Sequence, residues 1–396
     1  MLNVLVIGSG NYVCGRGTAG FGTILPALCE WKRRGHELNT VMVSGTRADG
    51  VTALKAKLEE LEEHMGVQLQ ARCLPDGRHN DPQAYRKALR DLPRPACAIV
   101  VVPDALHAEI TTRVMEAGIH VLVVKPLAPT VDEVLRLLDT QKRHRVYAAV
   151  EFHKRWDAAN LMLRDAVVRG LIGEPQYFVV EYSQRKEIPA HQFKVWAETT
   201  NSFQYLGVHY VDIIYFVTGA RPVRVAAVGQ RGWLAATGID TCDSVQVMVE
   251  WQMLSGSKFA STFLTNWVDP AGTSALSDQR IKVIGTKGRF ESDQKRRGIQ
   301  VVSDDQGTEE PNPDFCLAYQ VPGCEKIAYR GYGIESVHTF LKDVTRIAEK
   351  DIDPADLEGQ RPTFRDALVS TAVVEAANHS LAKDGQWVDV QLPASW

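Results

Sequence analysis

The 396-residue sequence has no apolar run approaching the ~20 residues that cross a bilayer, no block of like charge and no low-complexity tract. Its seven cysteines (Cys14, Cys29, Cys73, Cys97, Cys242, Cys316 and Cys324) are odd in number and contain no CxxC pair or His/Cys group at zinc spacing. A disulfide framework is therefore unsupported, and reduced thiols in a cytosol are expected. The 45 basic and 48 acidic residues leave a net charge of −3 without clustering of either sign, so nothing predicts binding to nucleic acid or to an anionic membrane. The start, Met-Leu-Asn-Val-Leu-Val-Ile-Gly, carries no basic leader, and a cytoplasmic protein is expected. Paired carboxylates, a G-x-S-x-G elbow and an HExxH site are missing, which removes support for a two-acid glycosidase, a serine hydrolase and a zinc protease. His107, His153 and His209 lie in separate segments, and no metal is expected.

What is present is an ordinary globular composition, 45% apolar and 23% charged, long enough for two domains. The first part alternates strand and helix. Val4 to Ile7 is a β-branched run ending in Gly8, and residues 24–34 carry Ile24, Leu28 and Trp31 at helical spacing before Gly35. Strands follow at 40–43, 98–102, 120–124 and 146–150, with helices at 83–92, 106–117 and from a Thr130-x-x-Glu133 capping box through 138. Such alternation predicts a doubly wound parallel sheet over residues 1–150, with ligands beyond the carboxyl ends of its strands. From 151 to 396 strand-like runs succeed one another at 177–183, 223–230, 244–251, 258–267, 280–285 and 298–303. These predict a large, open, mostly antiparallel sheet, followed by a loop at 303–314 and two helices at 336–348 and 364–381.

The first strand runs into Gly8-Ser9-Gly10-Asn11, two of the three glycines of a dinucleotide loop: Gly8 for the turn, Gly10 for close backbone approach to a pyrophosphate. Val13 stands at the third position. The further glycines at 15, 17, 20 and 22 suggest an insertion of roughly eight residues before the helix. The second strand ends Ser44-Gly45-Thr46-Arg47, hydroxyls and a guanidinium where an NAD-binding chain usually has an acid. That set suits the 2′-phosphate of NADP, although NAD remains possible and a plain polar turn is the bland alternative.

The fourth strand leads to Val102-Pro103-Asp-Ala-Leu-His107, and the fifth to Val124-Lys125-Pro126. Later come Phe152-His-Lys-Arg-Trp156 and Gly207-Val-His209-Tyr-Val-Asp212. In this order the motifs resemble the glucose-fructose oxidoreductase and inositol dehydrogenase family (Gfo/Idh/MocA) over nearly the whole chain. The resemblance implies a Rossmann domain, a second domain for substrate and oligomerisation, and cofactor contacts from Gly8, Ser9, Gly10, Asn11, Ser44, Gly45, Thr46, Arg47, Pro103, His107 and Lys125. It also implies Lys125 and His209 as catalytic groups.

Two departures stand out. Val124 replaces the glutamate of the family's Glu-Lys-Pro, which removes a neighbouring negative charge and suggests that Lys125 titrates low. Tyr205 replaces an aspartate four residues before His209, and reads either as a proton donor or as a pocket wall. Asp212 is placed to orient His209 one helical turn away. Arg155, Trp156 and Trp196 are candidate substrate contacts, with core packing the competing reading of both tryptophans.

The expected activity is hydride transfer between nicotinamide and a carbinol carbon of a sugar, inositol or related polyol, in a homodimer or homotetramer. Two alternatives remain open: an enzyme that retains its nicotinamide for redox-assisted glycoside cleavage or epimerisation, and a non-catalytic dinucleotide-binding regulator.

Overall fold

The computed structural model describes residues 1–393 except 78, 193, 195 and 306, the last within the expected 303–314 loop. Two units are distinguished by their contacts. The first holds residues 1–128, 132–156 and 314–365, and the second holds 129–131, 157–313 and 366 onward. The first unit thus runs past residue 150 to Trp156 and takes back a later segment that the sequence reading had assigned to the second.

In the first unit the chain forms β1 (Leu2–Ile7), α1 (Asn11–Cys14), α2 (Ile24–Arg33), β2 (Leu38–Ser44), α3 (Ala48–Met65), β3 (Arg72–Leu74), α4 (Ala84–Asp91) and β4 (Ala96–Val100). It continues through α5 (His107–Glu116), β5 (His120–Val124), α6 (Val131–His144) and β6 (Ala148–Glu151). The strands make one parallel sheet in the order β3-β2-β1-β4-β5-β6. Their order reverses between β1 and β4, which opens the crevice where such sheets take ligands. Every residue of β1 and β4 is buried, which is why both read as unbroken apolar runs. The expectation omitted α3, whose buried Val51, Leu54, Leu58, Leu61 and Met65 are interleaved with charged residues, and the three-residue β3.

The second unit contains α7 (Ala158–Val168), β7 (Pro175–Arg185), α8 (Val208–Thr218), β8 (Arg221–Gln230), α9 (Trp233–Ala236), β9 (Ser244–Gln252), β10 (Lys258–Asp269), β11 (Ser277–Gly285) and β12 (Arg289–Asp293). Two short strands, β13 (Val301–Ser303) and β14 (Gly307–Glu309), pair with each other inside the segment expected to be strand and loop.

The chain then re-enters the first unit as a hairpin, β15 (Leu317–Gln320) and β16 (Ile327–Arg330), and α10 (Tyr332–Ala348). Val337, Phe340, Leu341 and Val344 of α10 join Ile24, Leu28 and Trp31 of α2 in one core, and Phe340 stacks on Tyr147 at 5.5 Å. Just beyond, the guanidinium of Arg361 grips the buried Asp343 through two nitrogens. The Val150 amide donates to the Pro362 carbonyl at 2.8 Å, and Thr363 bridges Ala149. These contacts pair the outer edge of β6, which would otherwise present open backbone groups.

Back in the second unit, α11 (Phe364–Leu381) matches the expected helix, and β17 (Val388–Asp389) joins the main sheet. That sheet has the order β12-β11-β7-β10-β9-β8-β17. All its neighbours are antiparallel except β7 and β10, which run parallel from Tyr177↔Ala260. One face buries Val245, Val247, Val249, Trp251, Phe263 and Trp267, while Tyr177, Val228, Met248 and Leu264 are exposed.

Candidate active site

Beyond β1, Gly8 adopts φ +131°, and a Cβ there would lie 2.0 Å from the Val101 carbonyl oxygen. Glycine is thus required for the ends of β1 and β4 to approach. A Cβ on Gly10 would meet nothing within 4 Å, so this ledge is open. After α1 the chain makes the anticipated excursion over residues 15–22 and folds back so tightly that a Cβ on Gly22 would sit 2.5 Å from the Asn11 carbonyl oxygen.

The excursion also delivers Arg16, a residue the sequence reading did not single out. A Cβ on Gly50 would meet Arg16 Nη1 at 2.6 Å, and Arg47 Cβ and Ser9 Oγ at 3.8 Å each. Ser9, Arg16 and Arg47 therefore gather at the start of α3. Gly45 is pressed against Ser9 Oγ, 2.8 Å from where its Cβ would be. Thr46 is exposed, whereas Ser44 is buried with its hydroxyl toward the Gly45 carbonyl. Arg47 is paired with Asp49, which holds that carboxyl down at about 2. An open glycine ledge, a serine hydroxyl and two guanidinium groups at the carboxyl edge of a parallel sheet fit a dinucleotide.

Pro103 precedes a tight turn after β4. His107, expected among the cofactor contacts, is instead 1% exposed with both ring nitrogens engaged: Nδ1 lies 2.7 Å from the Pro126 carbonyl oxygen and Nε2 2.9 Å from that of Val102. It ties the turn after β4 to the turn after β5, and burial pushes its pKa down. Lys125 lies immediately after β5, its residue partly buried and its amine shielded from water. Burial brings its pKa down from 10.5 to about 7, while Glu151 and then Asp104 oppose that fall. The low titration was anticipated, but its cause is desolvation, and the lysine does have an acidic neighbour.

That neighbour belongs to a buried polar group. Glu151, 1% exposed at the end of β6, accepts from Ser336 Oγ at 3.0 Å through Oε1 and lies 2.8 Å from His153 Nδ1 through Oε2. The Tyr12 hydroxyl is 3.3 Å from the same nitrogen, and burial and Glu151 push it well above the ordinary phenol value. Arg155 is buried with its guanidinium 6.0 Å from the Phe152 ring. The Trp156 indole donates to Thr339 Oγ1 at 2.9 Å on α10, so its N–H is committed within the first unit.

In the second unit, Tyr205 sits in a wide helical turn over residues 203–207. Its ring lies 5.5 Å from Trp196 and 5.9 Å from Trp267. His209 and Asp212 share α8 three residues apart, both buried, and the Tyr182 ring is 6.4 Å from His209. Tyr182 and Trp267 were missed in the sequence because neither sits in a motif. Among the described residues no group of three or more His, Cys, Asp or Glu could hold a metal ion. No described helix is long and apolar enough to cross a membrane.

A six-stranded doubly wound sheet with a glycine turn at its switch point, joined to a mixed-sheet unit, defines an oxidoreductase of the NAD-binding Rossmann type. The chain belongs to the GFO/IDH/MocA family. Residues 2–152 match the model described as oxidoreductase family, NAD-binding Rossmann fold, and residues 160–291 match the GFO/IDH/MocA C-terminal domain. Myo-inositol 2-dehydrogenase of Thermotoga maritima is 25% identical over 290 residues, 73% of this chain and 77% of that protein. Inositol 2-dehydrogenase of Rhizobium meliloti is 24% identical over 289 residues, 73% of this chain and 79% of its own length. The solved scyllo-inositol dehydrogenase of Lactobacillus casei with NAD(H) and scyllo-inositol shares the fold at a TM-score of 0.66 and 16% identity, with 98% of each chain covered.

Proposed function

We propose that this oxidoreductase moves a hydride between nicotinamide and a carbinol carbon of a sugar, inositol or related polyol, with NADP preferred over NAD. The observation that carries the reading is Lys125, which directly follows β5 with a pKa brought near neutrality by burial. The two inositol dehydrogenases similar over most of the chain support the substrate class.

The glycine turn from Gly8 through Asn11, Gly45 and Thr46, and Pro103 would hold the dinucleotide, and Arg47 with Arg16 would hold a 2′-phosphate. The nicotinamide, when bound, supplies the hydride donor or acceptor. The chain's own task is then to hold the substrate and to handle one proton. Lys125 and His209 are assigned to that proton, the amine because burial brings it near neutrality and the imidazole because this side-chain type serves as acid or base, with Asp212 orienting the histidine. Arg155 and Trp196 are assigned to the substrate. Trp156 is assigned to shaping the floor, because its N–H is already committed.

The exposed Tyr177, Val228, Met248 and Leu264 on one face of the mixed sheet support a homo-oligomer, and seven free cysteines support a reducing, cytoplasmic setting. A nicotinamide retained between turnovers is a second reading, favoured by the tightly folded 15–22 excursion. Absorbance of the purified protein, followed by a screen of polyols with free NAD and NADP, tests both. Turnover with exchangeable cofactor supports the first; bound nicotinamide and no such turnover supports the second. Failure to oxidise or reduce any polyol, without bound nicotinamide, would remove both.

A further inference from the structure

The wide helical turn at residues 203–207, which carries Tyr205, leads directly into α8. Such turns are rare and recur where a helix serves a functional site. Packing fixes its inner side. Phe203 is buried with its ring 5.3 Å from that of Phe263, and a Cβ on Gly207 would lie 2.3 Å from Phe203 Cδ2, so glycine is what lets the ring close beneath the turn. Just before it, the buried Ser202 hydroxyl donates at 3.0 Å to Thr265 Oγ1, whose own proton goes to the Val245 carbonyl at 2.9 Å.

The leading edge is held by three side-chain amides. Asn201 Oδ1 accepts from the Gln204 backbone N–H at 3.0 Å, in the manner of a helix N-cap. Asn201 Nδ2 donates to Asn378 Oδ1 at 2.8 Å, and Asn378 Nδ2 donates to Gln204 Oε1 at 3.0 Å, which closes a ring. The Asn201 carbonyl accepts from the Tyr205 N–H at 3.0 Å, so the ring is bonded to the residue it precedes. Asn378 lies in the last turn of α11, an end pinned to β8 by Ser380, whose Oγ accepts from the Ala227 N–H at 2.9 Å.

We propose that Asn378 is a positioning residue for the substrate: from α11 it closes the amide ring that holds the wide turn and, with it, the Tyr205 ring against Trp196 and Trp267.

Asparagine suits this place because the position must accept from one amide and donate to another. An apolar side chain there would remove both bonds and release the cap. The Tyr205 ring, 5.5 Å from Trp196 and 5.9 Å from Trp267, would then lose its fixed place in the aromatic wall. His209 lies beyond Gly207 on α8, which keeps its own helical bonds, so the loosening acts on the wall before it acts on the histidine.

The role in turnover rests on the polyol reading above, whereas the positioning is measured without cofactor or substrate. Protein carrying fluorotryptophan is followed by fluorine NMR, with signals assigned through Trp196→Phe and Trp267→Phe. Asn378→Leu, which keeps the size and removes both bonds, should shift or broaden the Trp196 and Trp267 signals while that of Trp31 in the first unit stays in place. Asn378→Asp should restore them, because its carboxylate accepts from Asn201 and from a Gln204 amide turned end for end. With the substrate found by screening, Asn378→Leu should raise KM several-fold and change kcat less, and Asn378→Asp should return KM toward that of the unmodified protein. Should Asn378→Leu fail to fold by circular dichroism, Gln204→Met opens the same ring and is measured instead. A folded variant of either kind with both signals in place overturns the positioning, as does an unaltered KM beside shifted signals. Shifted signals in a protein that turns over no polyol keep the positioning of the wall and remove the proposed reaction instead.

Discussion

Arg47 and Asp49 face each other across the first residues of α3, joined by two hydrogen bonds of 2.9 and 2.7 Å with both side chains exposed. A 2′-phosphate would have to take Arg47 away from this partner. Arg47→Ala is expected to weaken NADP binding about ten-fold or more while leaving NAD binding nearly unchanged, on the scale of one charged hydrogen-bonding group. Asp49→Asn, which releases the guanidinium, should tighten NADP a few-fold. Calorimetric titration with both dinucleotides checks this, and tighter NAD binding by the unmodified protein would defeat the assignment.

Lys125→Ala and His209→Ala should each lower kcat by ~100-fold or more with cofactor affinity retained, the usual scale of a positioned acid or base. Steady-state kinetics with the substrate found by screening decide it, and full turnover in either variant removes that residue from the reaction.

Lys125 also makes the stability of the protein pH-dependent. Its amine is pushed from 10.5 to about 7 in the folded chain, so between those values the unfolded chain binds more protons and stability rises with pH. Lys125→Met, which mimics the neutral amine, should raise Tm most below pH 7, with the gain shrinking toward pH 10.5. Thermal melts across that range test the sign; a constant or inverted difference contradicts it.

Tyr205 lies between Trp196 and Trp267, half-buried in an aromatic wall. Tyr205→Phe preserves the ring and is expected to leave kcat nearly unchanged with a modest rise in KM. A large fall in kcat together with a lost limb in the pH profile would make the hydroxyl a proton donor.

The exposed face of the mixed sheet predicts a dimer or tetramer at micromolar concentration. Met248→Lys with Leu264→Lys should lower the mass seen by light scattering, because like charges on a buried face oppose association. A monomer mass for the unmodified protein would refute this.

Much of the nucleotide-binding sheet could be read from the chain because β1, β4 and β5 are largely buried apolar runs with a Gly or Pro shortly after each. The fifth strand matches residue for residue at 120–124, as does the last helix at 364–381. α3 was legible and was missed: Val51, Leu54, Leu58, Leu61 and Met65 recur at three- and four-residue spacing, with Glu and Lys on the opposite face. The parallel pairing of β7 with β10 was illegible because neighbours in a sheet need not be neighbours in sequence. The same limit hid Glu151. Its partners Tyr12, His153 and Ser336 come from three separate segments that only folding brings together. His107 shows the converse: its spacing from Pro103 was visible, but its two carbonyl partners come from turns that only folding brings together.

The return of residues 314–365 to the first unit governs how the protein is made. A ribosome that has released only the first 152 residues has exposed the sheet but not α10, so the apolar side of Ile24, Leu28 and Trp31 is uncovered and the edge of β6 is unpaired. Where an N-terminal domain folds while the rest is being synthesised, this one is expected to wait for residues 314–365 to complete its core. The first unit closes only after residue 365 has emerged, and the second still awaits α11. A fragment cut at residue 152 lacks α10 and residues 361–363, and is expected to expose the apolar side of α2 and the unpaired edge of β6.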